Sequence, residues 1–144
     1  MASALAARLE RVASRWTLRL THYGRKTGTP YAVTIWFVVE GETIYLETVD
    51  MRRQWPRNVR AHPDVELEIG NETLHGLATR ITDLGEADHV AMLARRKYPI
   101  MYPVEWGMRL VAWLRRKPPH EIFPGGFFRV RIDSRSATHG PPEA

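Results

Sequence analysis

The first part of the chain carries apolar side chains at helical spacing. Leu5, Leu9 and Val12 recur every three to four positions with charged residues between them, which predicts an amphipathic helix over residues 1–16. After that helix the period falls to two, and β-branched and aromatic residues become frequent, as is typical of strands. The alternating segments predict strands at residues 17–23, 31–39, 43–49, 65–70, 73–84 and 127–132.

Helical periodicity returns in the middle of the chain and again towards its end. Pro56 fits a first helical turn, where its missing N–H costs nothing, and Pro118 marks the end of a helix. The segments with this periodicity predict helices at residues 52–61, 86–98 and 104–116.

The resulting order of elements indicates the fold class. About six mostly antiparallel strands, with helices set to one side, predict a small α+β barrel. Because the sequence has no repeat and no linker, we expect a single domain over residues 1–144. Its last part, residues 134–144, is rich in small and polar residues, and we expect a disordered tail there.

Composition and charge narrow the classes of function. The chain has no cysteine, which excludes disulfides, thiolate catalysis and sulfur-ligated metals. No apolar stretch approaches the length of a membrane span, and charged residues interrupt the N-terminal segment, so we expect a soluble, cytoplasmic protein. A net charge of +5 favours an anionic partner, which could be nucleic acid, a membrane or a phosphorylated cofactor.

The usual signatures of self-contained catalysis are mostly absent from the sequence, and although carboxylates are common, no acid–base pair stands out. All four serines lie near the termini, and the six histidines show no spacing typical of metal ligands. There is neither a G-x-G-x-x-G segment after a strand nor a Walker A loop. We therefore expect no metal site, and chemistry that depends on a bound organic cofactor.

Two basic segments are candidates for the binding of an anion. The first is the turn Gly24–Gly28, in which Arg25 and Lys26 lie between glycines that let backbone N–H groups approach a ligand. The alternative interpretation is a charged hairpin exposed to solvent. The second segment, residues 51–63, places several arginines along one face of a predicted helix, and its alternative is an ordinary exposed basic helix.

Together these segments resemble a known family. The string GRKTG, an IWFVV strand and the pattern W-x-x-N-x-x-A-x-P over residues 55–63 are similar to the deazaflavin-dependent nitroreductases. That family belongs to the split β-barrel, pyridoxamine-phosphate-oxidase-like flavin and deazaflavin oxidoreductases. The resemblance implies a split β-barrel, and hydride transfer from reduced deazaflavin coenzyme F-420 to a quinone, enone or nitro-type acceptor.

The resemblance also implies a set of site residues. The turn would hold the anionic tail of the cofactor, the end of the strand at residues 43–49 would line its ring, and the helix after it would complete the phosphate and ribityl contacts. Tyrosines after the helix at residues 86–98 would orient the acceptor or donate a proton, although they could equally be packing residues. The cofactor-binding residues implied are Arg25, Lys26, Thr27, Gly28, Thr48, Val49, Asp50, Arg52, Arg53, Trp55 and Asn58, and the catalytic candidates are Tyr98 and Tyr102.

Several alternatives stay open at this point. Tyr31 and Thr34 stand where family members often have an arginine and a proline, so FMN is the alternative cofactor. A non-catalytic barrel that binds a cofactor, lipid or haem is the alternative class. Nucleic-acid binding is disfavoured because the aromatic residues follow core patterns. Split barrels commonly form homodimers, and the basic, tryptophan-containing helix at residues 106–117 could contact a membrane surface.

Overall fold

The computed structural model describes residues 3–133, so the predicted tail at residues 134–144 lies outside the described part of the chain. The helices are α1 (Ala4–Val12), α2 (Gln54–Ala61), α3 (Leu84–Lys97), α4 (Met101–Leu114) and α5 (Pro119–Ile122). The strands are β1 (Leu18–Tyr23), β2 (Pro30–Ile35), β3 (Phe37–Glu40), β4 (Thr43–Thr48), β5 (Asp64–Ile69), β6 (Glu72–Arg80) and β7 (Gly126–Ile132).

The strands form one antiparallel sheet in the order β2-β1-β5-β6-β7-β4-β3. β2 and β3 follow each other in the chain, yet they lie at opposite edges of the sheet. Only a sheet that curls strongly can bring its two edges within one residue of each other. The architecture is therefore a split β-barrel with flanking helices, as predicted.

The junction between β2 and β3 corrects one prediction, because the sequence pattern indicates a single strand over residues 31–39. Ile35 pairs with Leu18 of β1, whereas Phe37 pairs with Leu46 of β4, so the chain changes partner strands at Trp36. Alternation of side chains continues through the change of partner. For this reason the sequence predicts about six strands where the structure has seven.

The inside of the barrel is a continuous apolar core. Its strand residues include Leu20, Leu67 and Phe128, which are fully buried. Helix α1 closes one side of this core with Leu9 and Val12, and helix α2 adds Trp55 and Val59. These helices are thus held by apolar packing, which is the main source of stability for such short helices.

A second apolar cluster lies on the outer face of the sheet under α3. Tyr45 of β4 and Val38 of β3 pack there with Ile81 and Val90. β6 ends at Arg80, earlier than the predicted residue 84, because Asp83 accepts a hydrogen bond from the Glu86 N–H and starts α3. α3 leads into α4, which runs along the same side of the molecule and contributes to the cavity described next.

Candidate functional site

A cavity of about 570 Å³ lies between the sheet and helix α4. The ends of β2 and β4, the start of β7 and the residues around the start of α2 form one wall, and α3 and α4 form the other. This volume is in the range of pockets that hold cofactors and small substrates.

Much of the cavity wall is apolar and its shape is fixed by packing behind it. Trp36, at the β2–β3 junction, is stacked on Tyr98 with ring centroids 4.4 Å apart and packs edge-on against Trp16 at 6.1 Å. A flat, largely apolar ring system would find contact on both walls without moving them. The large apolar side chains that line the cavity are Ile35, Trp36, Val49, Trp55, Ile81, Met101, Val104, Met108 and Phe127.

Two glycines allow the start of β7 to approach the end of β4. A Cβ atom on Gly125 would lie 2.9 Å from the carbonyl oxygen of Thr48, and one on Gly126 would lie 2.9 Å from the Met51 sulfur. A side chain at position 125 would displace the backbone at the end of β4, and one at position 126 would push the Met51 side chain aside. The close approach brings the backbone of Thr48 and Val49 to the cavity, where the sequence predicts them.

Two carboxyl groups face the cavity, and the sequence analysis misses both. Glu105 of α4 is paired with Arg95, with an Nε–Oε1 distance of 3.3 Å. Burial, and secondly repulsion from Glu105, raise the pKa of Glu47 to about 7, against the opposing attraction of Arg95. No hydrogen bond from another side chain or backbone group of residues 3–133 holds the Glu47 carboxylate, so nothing of that kind offsets the effect of burial on its pKa.

Arg53 and Arg80 add positive charge at the rim of the cavity. Arg53 is the residue before α2, and Arg80 is the last residue of β6; both side chains are exposed and both line the cavity. Trp55, the second residue of α2, is buried, and the centre of its ring lies 5.4 Å from that of Phe128. The rim therefore combines an apolar wall with cations suited to a phosphate or carboxylate.

The basic turn between β1 and β2 is ordered by its own backbone. The Gly24 N–H donates to Thr29 O at 2.9 Å, the Gly28 N–H donates to Gly24 O at 3.0 Å, and Gly28 has a φ of +71° that glycine adopts readily. The turn is fastened to α2, because Arg25 Nη1 donates to Asn58 Oδ1 at 2.8 Å. Lys26 and Thr27 are exposed at its tip.

Asn58 connects three elements and does not reach the cavity. Besides accepting from Arg25, its Nδ2 lies 3.0 Å from Nδ1 of His22 on β1. Burial lowers the pKa of His22, and a neutral imidazole can accept that hydrogen bond through Nδ1. Both ends of the Asn58 amide therefore have partners in the protein, and its direct contact with a cofactor stays a prediction.

Asp50 and Arg52, also predicted to contact the cofactor, bind each other. Arg52 donates to the Asp50 carboxylate from its backbone N–H at 2.8 Å and from Nε at 2.9 Å. The hydrogen bonds from Arg52 lower the pKa of Asp50. The pair shapes the loop before α2, and neither residue lines the cavity.

Neither of the tyrosines predicted to act on the substrate lines the cavity. Tyr98 is 1% exposed; its hydroxyl accepts from the Phe37 N–H at 3.2 Å and lies 2.7 Å from Trp16 O, to which it can donate. Tyr102 points away from the barrel and is 53% exposed. The structure therefore assigns Tyr98 to the support of the β2–β3 junction, and it gives Tyr102 no contact with the cavity.

The predicted cofactor-binding residues fall into groups with different surroundings. Thr48, Val49, Arg53 and Trp55 line the cavity, while the predicted residues of the basic turn lie beside α2. Glu47 and Glu105 gave little signal in the sequence, because polar residues on alternate positions of strands and helices are common at any surface. Glu47 follows Tyr45 by two positions, so both side chains lie on the same face of β4, where Tyr45 is buried. That shared face was the only hint that Glu47 is not an ordinary surface carboxylate.

Comparison with known proteins identifies the family. The sequence model of the F420H(2)-dependent quinone reductase family matches residues 4–105, which is well over half of the chain. The match spans the basic turn, the strand ends and the helix at the cavity rim. It confirms the predicted likeness to deazaflavin-dependent reductases. No curated protein matches the sequence.

Solved structures with the same architecture support the fold assignment. A candidate pyridoxamine 5′-phosphate oxidase from Listeria innocua is 14% identical, with a TM-score of 0.60 over 92% of this chain and 95% of that chain. An F420-H2 dependent reductase is 20% identical, with a TM-score of 0.56 over 81% and 94%. A protein described as a domain-swapped dimer is 19% identical, with a TM-score of 0.59 over 86% and 91%. At these identities the likeness shows the fold alone, and the assembly of this chain stays a prediction.

Proposed function

The chain belongs to the F420H(2)-dependent quinone reductase family, and we propose that its cavity holds the ring of deazaflavin coenzyme F-420 beside a quinone. The observation that carries the proposal is the cavity between β4, β7 and α4, whose apolar walls end in cations at one rim. The reduced coenzyme, when bound, supplies a hydride. The protein binds and orients both partners and shields them from water.

The residues present fit a flat ring with an anionic tail. Trp36 and Phe127 offer aromatic surface, and the glycine pair at 125–126 leaves backbone of Thr48 and Val49 accessible to ring heteroatoms. From Arg53 the helix α2 runs towards Asn58, a distance of about 7.5 Å at the helical rise per residue. A phosphorylated tail would follow that helix from the cavity rim to the basic turn.

The turn supports the tail through prearranged charge. Arg25 is held in place by Asn58 at 2.8 Å, so little side-chain entropy is lost when its remaining N–H groups meet an anion. Lys26 adds an exposed mobile cation beside it. The same arrangement would hold the phosphate of FMN, which is why the choice of cofactor needs a direct experiment.

The reaction also needs a proton donor, and Glu47 is placed to be one. Addition of a hydride to a quinone leaves an oxyanion that must gain a proton to become a quinol. Glu47 lines the cavity and has a pKa of about 7, so a large fraction of its carboxyl groups carries a proton at neutral pH. We assign proton donation to Glu47, which then recovers its proton from solvent.

The proposal is tested by titrating the purified protein with F-420 and with FMN, followed by turnover of a short-chain quinone. We expect tighter binding of F-420, and quinone reduction that depends on its reduced form. Arg53→Ala should raise the dissociation constant by about tenfold, because a charge-assisted hydrogen bond to the tail is lost. Arg19→Ala, an exposed arginine on β1, is the matched control and should leave affinity unchanged. Tighter binding of FMN than of F-420 would overturn the cofactor assignment.

A further inference from the structure

Helix α4 presents a row of large apolar side chains to solvent. Tyr102, Trp106, Leu110 and Trp113 follow one another at three- or four-residue spacing and form what we call the outer stripe. Their exposed fractions are 53%, 69%, 56% and 74%. Single exposed apolar residues are ordinary, but a contiguous row that includes two tryptophans is typical of a surface that binds something.

A different side of α4 faces the cavity and the rest of the fold. Met101, Glu105 and Met108 line the cavity, and Ala112 is buried. Packing against the fold therefore does not explain why the outer stripe is apolar. A helix that covers a core needs only one apolar side, and α4 has two.

Positive charge surrounds the outer stripe. Arg109 lies between its members, with its guanidinium carbon 5.8 Å from the centre of the Trp106 ring. Arg115, Arg116 and Lys117 follow the end of the helix and are all exposed. Residues 106–117 contain no acidic residue. Aromatic side chains bordered by arginine and lysine are suited to the boundary between the headgroups and acyl chains of an anionic lipid surface.

We propose that the outer stripe docks the protein on an anionic membrane surface. The helix has 14 residues and a length of about 21 Å. Among residues 3–133, no helix combines the length and apolar character needed to cross a bilayer. Helix α4 would therefore lie in the plane of the interface, with Trp106, Leu110 and Trp113 among the acyl chains and the basic residues at the headgroups.

Charge argues against a second copy of the chain as the occupant. In a two-fold interface centred on the stripe, Arg109, Arg115, Arg116 and Lys117 would face the same set on the partner, and like charges would repel. Residues 134–144, outside the described part, contain no apolar side chain larger than proline to fill the stripe. An anionic lipid surface complements the charge and the apolar row at once.

Docking in this way would also place the cavity close to lipid. Helix α4 carries both the outer stripe and, through Met101, Glu105 and Met108, part of the cavity wall, so the two are separated by one helix diameter, roughly 10–12 Å. Resting on the proposed function, this geometry would give a lipid-soluble quinone a short path from the bilayer to the cavity.

The first experiment measures cosedimentation with vesicles of phosphatidylcholine alone and of phosphatidylcholine with phosphatidylglycerol, without cofactor or quinone. We expect binding to the anionic vesicles and a blue shift of tryptophan fluorescence. Leu110→Glu should weaken binding at least about tenfold, because a leucine that docking buries among the acyl chains becomes a charge repelled by the lipid. Leu84→Glu, at an 80% exposed leucine on α3, is the matched control and should bind like the unchanged protein. Equal loss in both variants, or no binding to anionic vesicles, would overturn the proposal.

A second pair of variants tests the charge. Arg115→Glu with Lys117→Glu should weaken binding at least about tenfold and reduce its sensitivity to salt. Arg19→Glu with Arg131→Glu makes the same change of charge elsewhere on the exposed surface and should have a much smaller effect. Equal effects of the two pairs would show attraction by net charge alone and overturn the assignment to α4.

Sedimentation velocity separates the membrane from a second copy of the chain. A dimer that dissociates in Trp106→Ala with Trp113→Ala, together with absent vesicle binding, would overturn the proposal in favour of self-association. Turnover of a short-chain, water-soluble quinone should be unchanged in Leu110→Glu. Failure of the docking proposal thus leaves that turnover intact, whereas failure of the proposed function abolishes it in every variant.

Discussion

The surroundings of Tyr98 and of Glu47 show two different uses of a buried ionisable group. Burial raises the pKa of both, to about 12 for Tyr98 and to about 7 for Glu47. The Tyr98 hydroxyl is surrounded by backbone groups of Trp16 and Phe37, so its proton is held in a hydrogen bond to a backbone carbonyl oxygen. Glu47 faces a cavity, with a second carboxylate as its neighbour.

This contrast distinguishes a structural role for a buried group from a chemical one. A polar group with complete partners in the protein stabilises one conformation and offers nothing to a ligand. A group that is desolvated without a partner holds a proton that a substrate can receive. We therefore place the chemical role at Glu47, and we give Tyr98 the task of fixing the point where the chain passes from one edge of the sheet to the other.

Removal of the Tyr98 ring should have the largest effect on stability. Tyr98→Ala would empty a fully buried site and leave the Phe37 N–H without its partner, so we expect a loss of about 3 to 5 kcal/mol in the free energy of unfolding. Tyr102→Ala, on the exposed face of α4, is the control and should change it by less than about 0.5 kcal/mol. Denaturant unfolding measures both. Similar small losses for the two tyrosines would contradict the assigned difference.

Glu47→Gln should have the next largest effect, and this effect should be on turnover. Without a transferable proton, quinone reduction should slow by about a hundredfold. In the unchanged protein the rate should fall as the pH rises through the Glu47 pKa, because the donor ionises, and this dependence should disappear in the variant. Single-turnover absorbance of the deazaflavin follows the step directly. An unaltered pH profile in Glu47→Gln would assign the proton to another group.

The same variant should change stability in a pH-dependent way. The pKa of Glu47 is raised from 4.5 to about 7, so the folded state binds the proton more tightly and stability declines as the pH rises through that window. Glutamine cannot ionise, so Glu47→Gln should lose this decline. We compare the free energy of unfolding of the variant with that of the unchanged protein at each pH. This difference should shift in favour of the variant by on the order of 1 to 3 kcal/mol from the acidic to the alkaline side of the window.

Sequence reasoning predicted the elements better than the cavity. Periodicity located most strands and helices, because burial of one face leaves a regular pattern. It could not detect the change of partner strands at Trp36, since side chains alternate in the same way whichever strand lies beside them. The four-residue helix α5 was also missed, because it buries no residue.

The residues of the cavity were hard to predict from the sequence for a similar physical reason. Motifs indicated residues that are close in sequence, such as Arg25 and Lys26, and the helix after β4. The cavity instead combines β4, α4 and β7, which together span more than half of the chain. Tyr98 and Tyr102 were chosen for their chemistry, but only the fold decides which face of the chain each occupies.

Asn58→Ala should have an intermediate effect with two components. The substitution leaves buried Nδ1 of His22 without its hydrogen bond and releases Arg25, so we expect a loss of about 1 to 3 kcal/mol in stability. Cofactor affinity should also fall, by several-fold, because Arg25 is no longer held in place. Arg25→Ala should lower affinity with a smaller loss of stability than Asn58→Ala, because it removes only one of the two hydrogen bonds of the Asn58 amide. If Asn58→Ala lowered affinity with no loss of stability, Asn58 would contact the cofactor directly, as the sequence resemblance implies.

Lys97 should give the smallest effect, and it tests the comparison on a third buried group. Its ammonium donates to Phe37 O at 2.9 Å and lies 3.6 Å from the centre of the Phe37 ring, so like Tyr98 it supports the β2–β3 junction. Burial nevertheless lowers its pKa from 10.5 to about 8. Since the unfolded chain binds this proton more tightly, stability should rise as the pH increases above about 8.

Because the Lys97 side chain is only partly buried, solvent screening should limit that rise to less than about 1 kcal/mol. Lys97→Met keeps most of the apolar stem and removes the charge, so the rise should vanish in the variant. Thermal unfolding of both proteins on either side of pH 8 measures the difference, with Arg96→Met, an exposed neighbour on α3, as the control. Turnover should be unchanged, because Lys97 does not line the cavity. The contrary outcome is a loss of turnover in Lys97→Met without a change in the pH dependence of stability. It would mean that a group with hydrogen-bond partners in the protein also takes part in the reaction. The distinction between Tyr98 and Glu47 would then fail.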